Sequence, residues 1–232
     1  MTAAARVRAP DRRPDVVLFD IFETLLQLEA LGTRFVDIGR PAGEWELFFA
    51  RLLRDGMAFT LAGTPRPFGE VARAALRTTS GIGLPADAVE HVLGGFAELP
   101  VHPDVEPAFA ALADAGVPAY GFTHGSAAVA AAALDRAGVR GHLRDVFSAE
   151  EIPSFKPPPV VYDFACARVG APHERVALVA AHSWDVHGAM RAGLITGLAT
   201  RLEGWVPDVI DPPHVAAERL DDVVAGVLAL PH

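Results

Sequence analysis

The stretch "DVVLFD" (15–20) sets four consecutive apolar residues between two aspartates. A short unbroken apolar run of this kind is the pattern of a strand buried on both faces of a parallel sheet. The period then changes. In "GEWELFFARLLRDGMAFTLA" (43–62) and "FGEVARAALRTT" (68–79) apolar residues recur every three to four positions, which predicts amphipathic helices. "GIGLPADAVEHVLGGFAEL" (81–99) adds a helix after a break marked by glycine and proline.

From about residue 102 helical and extended patterns alternate. "DVEPAFAALADAG" (104–116), "SAAVAAAALDRAG" (126–138), "PPVVYDFACARVG" (158–170), "DVHGAMRAG" (185–193) and "AAERLDDVVAGVLAL" (216–230) predict helices. "VPAYGFT" (117–123), "DVFSAE" (145–150), "RVALVAA" (175–181) and "LITGLAT" (194–200) predict strands. Strand alternating with helix predicts an α/β fold, a parallel sheet with helices on both faces. One strand precedes the helix-rich stretch and the others follow it. The expected organisation is therefore a core of residues 15–26 and 99–232, a helical insertion at 27–98, and an N-terminal arm at 1–14.

Composition narrows the class. The 232 residues are 51% hydrophobic and 21% charged, with a formal net charge of -9. That is a globular composition, and without a basic patch it predicts no nucleic-acid partner. No run reaches the ~20 apolar residues of a membrane span, and the first 14 residues lack the apolar run of a secretory signal. One cysteine, Cys166, allows no intrachain disulfide and reads as a small core residue. The expected location is the cytoplasm.

Ligands of open parallel sheets bind at the carboxyl ends of the strands. There the expected strands deliver Asp20, "THGS" (123–126), the loop holding Lys156, and "AHSWD" (181–185). Lys156 is the only lysine among 20 strong bases. Arginine and lysine are equivalent as solubilising charges but differ where a compact ammonium must reach between close carboxylates. The position of this lone lysine suggests such a demand.

"LFDIFETLL", "FTHGS", "SFKPPPVVYDFA" and "AAHSWDVHGAMRAG" resemble the four ordered motifs of the haloacid dehalogenase-like superfamily, and within it the type II (L-2-haloacid) dehalogenase branch. The resemblance implies a Rossmann-like core with a helical cap after the first strand. It casts Asp20 as the nucleophile, Thr24 as its orienting hydroxyl, Lys156 as its counter-ion, and Asp185 as the balance for Lys156 and a guide for water. It places Thr123 and the amides of His124, Gly125 and Ser126 at an anionic part of the substrate. Phe22, Phe68, Tyr162 and Trp184 fall at positions that shape the pocket. The implied substrate is a small 2-substituted carboxylic acid, the implied assembly a homodimer, and no cofactor is implied. Local readings stand beside these roles: Asp20, Asp185 and Ser126 also suit helix N-caps, and the aromatic residues suit plain core packing.

The chain departs from the pattern at several points. Glu23 replaces a glycine, His124 and His182 replace asparagines, and Ala180 replaces a serine. Phe49 stands where the branch carries an arginine, and Arg51 lies about 200° further round the helix. The two imidazoles could bind a carboxylate, aid a leaving group or activate water; His102, His142, His173, His187 and His214 read as loop or surface residues. Phe22 stands where magnesium-dependent phosphatases of the superfamily carry an acid, which argues against phosphate esters and against a required metal. A magnesium-dependent phosphatase or C–P bond hydrolase, and a catalytically silent binding protein, are the remaining readings.

Overall fold

The computed structural model describes residues 11–232. Most of the expected arm, residues 1–10, lies outside the described residues. Its C-terminal end is docked: the Arg13 amide donates to the Pro231 carbonyl at 2.5 Å, and Pro14 is buried.

Six parallel strands form one sheet: β1 (Val16–Phe19), β2 (Ala119–Thr123), β3 (Leu143–Ser148), β4 (Val176–Ala180), β5 (Ile195–Ala199) and β6 (Val215–Ala217), in the order β3-β2-β1-β4-β5-β6. β1 is central, pairing with β2 through Val17↔Ala119 and with β4 through Val16↔Val176. It is buried throughout, as its continuous apolar run requires. The order reverses beside β1, because the chain crosses from β3 back to β4. The loops after β1, β2 and β4 therefore converge at one edge of the sheet.

Between β1 and α5 (Val105–Asp114) the chain is helical: α1 (Leu31–Asp37), α2 (Glu44–Leu61), α3 (Phe68–Ser80) and α4 (Ala86–Gly94). Their apolar faces share one hydrophobic cluster with β1 and α5, joining Phe19 and Phe109 to Phe48, Leu52, Val71 and Val92. A run of aromatic rings carries this packing to the strand ends. Phe96 meets Phe22 edge-on at 5.1 Å and Phe68 at 6.0 Å, and Phe68 stacks on Phe155 at 6.3 Å.

The other helices alternate with the strands: α6 (Ala127–Arg136) follows β2, α7 (Pro159–Val169) makes the crossing from β3 to β4, α8 (Ser183–Arg191) follows β4 and α9 (Leu220–Leu228) follows β6. The segment expected as a helix from residue 216 divides. Val215–Ala217 pairs with β5 as the edge strand β6, and helix begins only at Leu220. Alanines favour helix locally, but an open sheet edge offers this segment hydrogen-bond partners that an isolated helix start lacks. Among the described residues no helix is long and apolar enough to cross a membrane.

Candidate active site

The apolar strand β1 ends at Asp20, only 3% exposed. A carboxylate cannot be left unpartnered at such a depth. Its two oxygens are served differently. Oδ1 accepts from the Lys156 ammonium at 3.0 Å. Oδ2 accepts from the Thr24 hydroxyl at 2.8 Å and faces His182 Nδ1 at 3.1 Å. Thr24 Oγ1 itself accepts the Ala181 amide at 2.9 Å, which commits the hydroxyl proton to Asp20. Burial pushes the Asp20 carboxyl up, but Lys156 and then His182 outweigh it and hold it below its ordinary range.

Lys156 is fully buried and uses its three ammonium protons on three acceptors: Asp20 Oδ1 at 3.0 Å, Asp185 Oδ2 at 2.7 Å and the Phe122 carbonyl at 3.0 Å. Three acceptors around one point suit an ammonium and not a planar guanidinium. Burial lowers the Lys156 pKa and the two carboxylates raise it above its ordinary value, with a net rise. Asp185 occupies the third position of α8, not its N-cap, which is His182. Burial pushes Asp185 up, with Lys156 opposing. Gly188, one helical turn on, lets α8 approach closely: a Cβ there would meet the Tyr162 hydroxyl at 2.7 Å and the Pro157 carbonyl at 2.9 Å.

Tyr162, expected at the substrate, lies behind the carboxylates instead. Its hydroxyl donates to Asp185 Oδ1 at 2.6 Å, within a separate cluster formed with Phe122 and Phe147. Phe49 is buried in α2 and does not line the cavity described below. Arg51 caps the end of α3 through the Thr78 carbonyl at 3.1 Å, so it does not reach toward Asp20. Thr123 Oγ1 accepts the Gly125 amide at 3.1 Å, which engages one of the amides expected to hold an anion. Ser126 is the N-cap of α6.

The two histidines are both buried but differ in charge. His124 Nδ1 accepts the Lys156 backbone amide at 3.3 Å, which leaves the proton on Nε2. That Nε2 is buried without a partner among the described residues, and the His124 ring lies 5.1 Å from the Phe155 ring and 5.5 Å from that of Trp184. Burial, then the Lys156 charge, pushes the His124 pKa well down. His182 Nε2 faces Glu23 Oε2 at 2.7 Å, opposite its contact with Asp20. Burial opposes its charge, but these two carboxylates push its pKa up to about 10. Trp184 lies against both imidazoles, 5.0 Å from the His182 ring.

Glu23 is a site residue that local pattern does not reveal. It has φ +64°, the left-handed region that favours glycine. An acid at a glycine position was the available signal, but its partner His182 is 159 residues away. His102 lies half-buried in the loop before α5, in keeping with its loop reading; its Nε2 is buried without a partner among the described residues, and burial lowers its pKa.

A cavity of about 300 Å³ lies against Phe22 and Phe68; α3, α4 and α6 supply Ala72, Leu93 and Val129 to its wall, and the turn after α4 supplies Phe96. Asp20 does not line it; the stacked rings of Phe22 and Phe68, 6.1 Å apart, do. Glu150, absent from the expected site, also borders the cavity and accepts the Phe68 amide at 2.7 Å, tying the start of α3 to the loop after β3. Among the described residues no three His, Cys, Asp or Glu side chains converge as a metal site. What the arrangement offers is an oriented, ionised carboxylate at a strand end, with Lys156 at one oxygen and Thr24 and His182 at the other.

The sequence model of the haloacid dehalogenase-like hydrolases matches residues 14–193. The chain is 29% identical over 190 residues to (S)-2-haloacid dehalogenase 1 of Pseudomonas sp. strain CBS-3, covering 80% of this chain and 84% of that one. A crystal structure of an L-2-haloacid dehalogenase superposes with a TM-score of 0.84 at 25% identity, covering 92% of this chain and 98% of that one. The L-2-haloacid dehalogenase of Xanthobacter autotrophicus with chloropropionic acid covalently bound superposes with a TM-score of 0.82 at 20% identity, covering 93% and 99%.

Proposed function

The chain belongs to the haloacid dehalogenase-like hydrolases, and from that premise we propose that it hydrolyses a small (S)-2-haloacid through a covalent ester on Asp20. The observation that carries the reading is the three-way grip of Lys156 on Asp20, Asp185 and the Phe122 carbonyl. It keeps a buried carboxylate ionised and aimed at the end of β1, where an sp3 carbon can be attacked. The relative with chloropropionic acid covalently bound points to the same class of intermediate.

In the first step an Asp20 oxygen uses a lone pair to bond C2 of the acid, and the C2–halogen pair leaves with the halide. Water then adds its oxygen to the Asp20 carboxyl carbon. The bond from that carbon to the acid's new oxygen breaks and restores the carboxylate. One water proton ends on the hydroxy acid and the other leaves to solvent with the halide. The aromatic cover of Phe22, Phe68, Phe96 and Phe155 favours the charge-dispersed displacement by excluding bulk water. In this reading residues 27–98 act as the cap, and Phe22 cannot supply the proton that a phosphate ester's leaving group needs.

The test is halide release from (S)-2-chloropropionate in EDTA, with wild type and Asp20→Asn. Release by wild type and none by the variant is expected. Turnover only after magnesium is added, on a phosphate or phosphonate, would move the chain to the metal-dependent branch. Folded protein that turns over neither class would leave a binding role.

A further inference from the structure

The two-step scheme above leaves the Glu23–His182 pair unused. Both ring nitrogens of His182 face carboxylate oxygens, Asp20 Oδ2 at 3.1 Å and Glu23 Oε2 at 2.7 Å. A neutral imidazole has one N–H, and would turn a lone pair toward an acceptor. An imidazolium satisfies both contacts. Glu23 reaches this position from a left-handed backbone, a strain that persists where surroundings impose it and that clusters at functional sites.

The pair makes the two Asp20 oxygens unequal. Oδ2 already faces two donors, Thr24 and His182, whereas among the described residues Oδ1 has Lys156 alone. Oδ1 is the freer nucleophile. Alkylation there turns Oδ2 into the ester carbonyl oxygen, still held between Thr24 and His182.

Resting on the haloacid reading, we propose that His182 is a catalytic residue, with Glu23 as its positioning residue: the His182 Nδ1–H and the Thr24 hydroxyl form the oxyanion site for hydrolysis of the Asp20 ester. When water bonds the carboxyl carbon, the carbonyl π pair moves onto Oδ2, within reach of both donors. It returns as the bond to Oδ1 breaks. The departing hydroxy-acid oxygen takes one proton from the attacking water, and the second water proton goes to solvent. His182 keeps both of its protons. Glu23 has a distinct task at this stage: esterification removes the Asp20 charge, so Glu23 is the carboxylate that still holds the ring as a cation. The other charged groups packed around it are Lys156, beside Asp20, and Asp185 beyond; His124 faces it as a neutral ring.

Single-turnover reactions with (S)-2-chloropropionate separate the steps, since the halide burst reports attack and the mass of the Asp20 peptide reports the ester. The variants are Glu23→Gly, which fits the left-handed backbone, and His182→Ala, which removes the Nδ1–H donor. Each should keep a halide burst within about tenfold of wild type and slow ester decay by roughly 100-fold or more, so that the ester accumulates. Unchanged decay, or loss of the burst without ester, would overturn the proposal. A second measurement needs no substrate: ¹⁵N shifts of His182 should report a doubly protonated ring at pH 8 in wild type, and a ring that loses its proton at lower pH in Glu23→Gly, where Asp20 is the carboxylate that still faces it. A neutral His182 in wild type overturns the proposal whatever the substrate. A doubly protonated ring in a wild type that releases no halide supports the clamp and overturns the haloacid reading instead.

Discussion

The ends of β2 and β4 each present one imidazole to the same site, and the two are buried almost equally, His124 at 6% exposure and His182 at 7%. Their charges are opposite in tendency. At the β2 end His124 has the Lys156 backbone and two aromatic rings for neighbours, and its pKa is pushed well down. At the β4 end His182 lies between Asp20 and Glu23, and its pKa is pushed up to about 10. Depth alone disfavours both cations; only a partner of opposite charge reverses that. The site thus holds a neutral ring on its apolar side and a cation against its nucleophile, from the same residue type at equal depth.

The largest break in this contrast comes from Lys156→Met. It removes the charge that depresses His124 and leaves Asp20 and Asp185 without their shared cation. The expected cost is about 3–5 kcal/mol in denaturant unfolding, because an uncompensated charge stays buried. Turnover should be lost, and the His124 pKa, followed by NMR, should rise.

Glu23→Gln sharpens the other side. With the folded His182 pKa raised from 6.5 to about 10, the folded state holds this proton more tightly than the unfolded one. The stabilisation is therefore fully present below pH 6.5 and is lost as pH rises from there through about 10. Asp20, held below its ordinary range, stays ionised across this window. Wild type should lose stability between these limits, and the variant should show a flatter decline in unfolding midpoint over the same range.

The smallest effect is expected at His124→Phe. Among the described residues Nε2 of His124 is a buried donor without a partner, and removing it relieves about 1 kcal/mol of desolvation. A rise in unfolding midpoint would support the apolar character of the β2 end. A fall would mean that the bond to the Lys156 amide contributes more than the orphaned nitrogen costs. A variant that is more stable yet turns over more slowly would assign that nitrogen to the substrate.

Much of the frame was legible before the structure. The continuous run at 16–19 is the fully buried central strand, and the three-to-four spacing at 44–61 and 68–80 is helix. These patterns are legible because burial on one or both faces imposes a period on neighbouring residues. β6 was not: three residues, two of them alanine, take their state from the sheet edge beside β5. Asp20, Thr24, Lys156 and Asp185 stood out as a resemblance at strand ends, and the fold brings them within hydrogen-bond reach of one another.

By itself, then, the sequence determined the alternation of elements, the strand that carries Asp20, and the demand for a single compact cation. Tertiary structure decided the partners: Tyr162 behind Asp185, Arg51 at the end of α3, and Glu23 on a ring 159 residues distant. The reason is physical. Periodicity is enforced among residues a few positions apart, whereas the charge of a buried group depends on what the folded chain sets within a few ångströms of it, and that distance is written only in three dimensions.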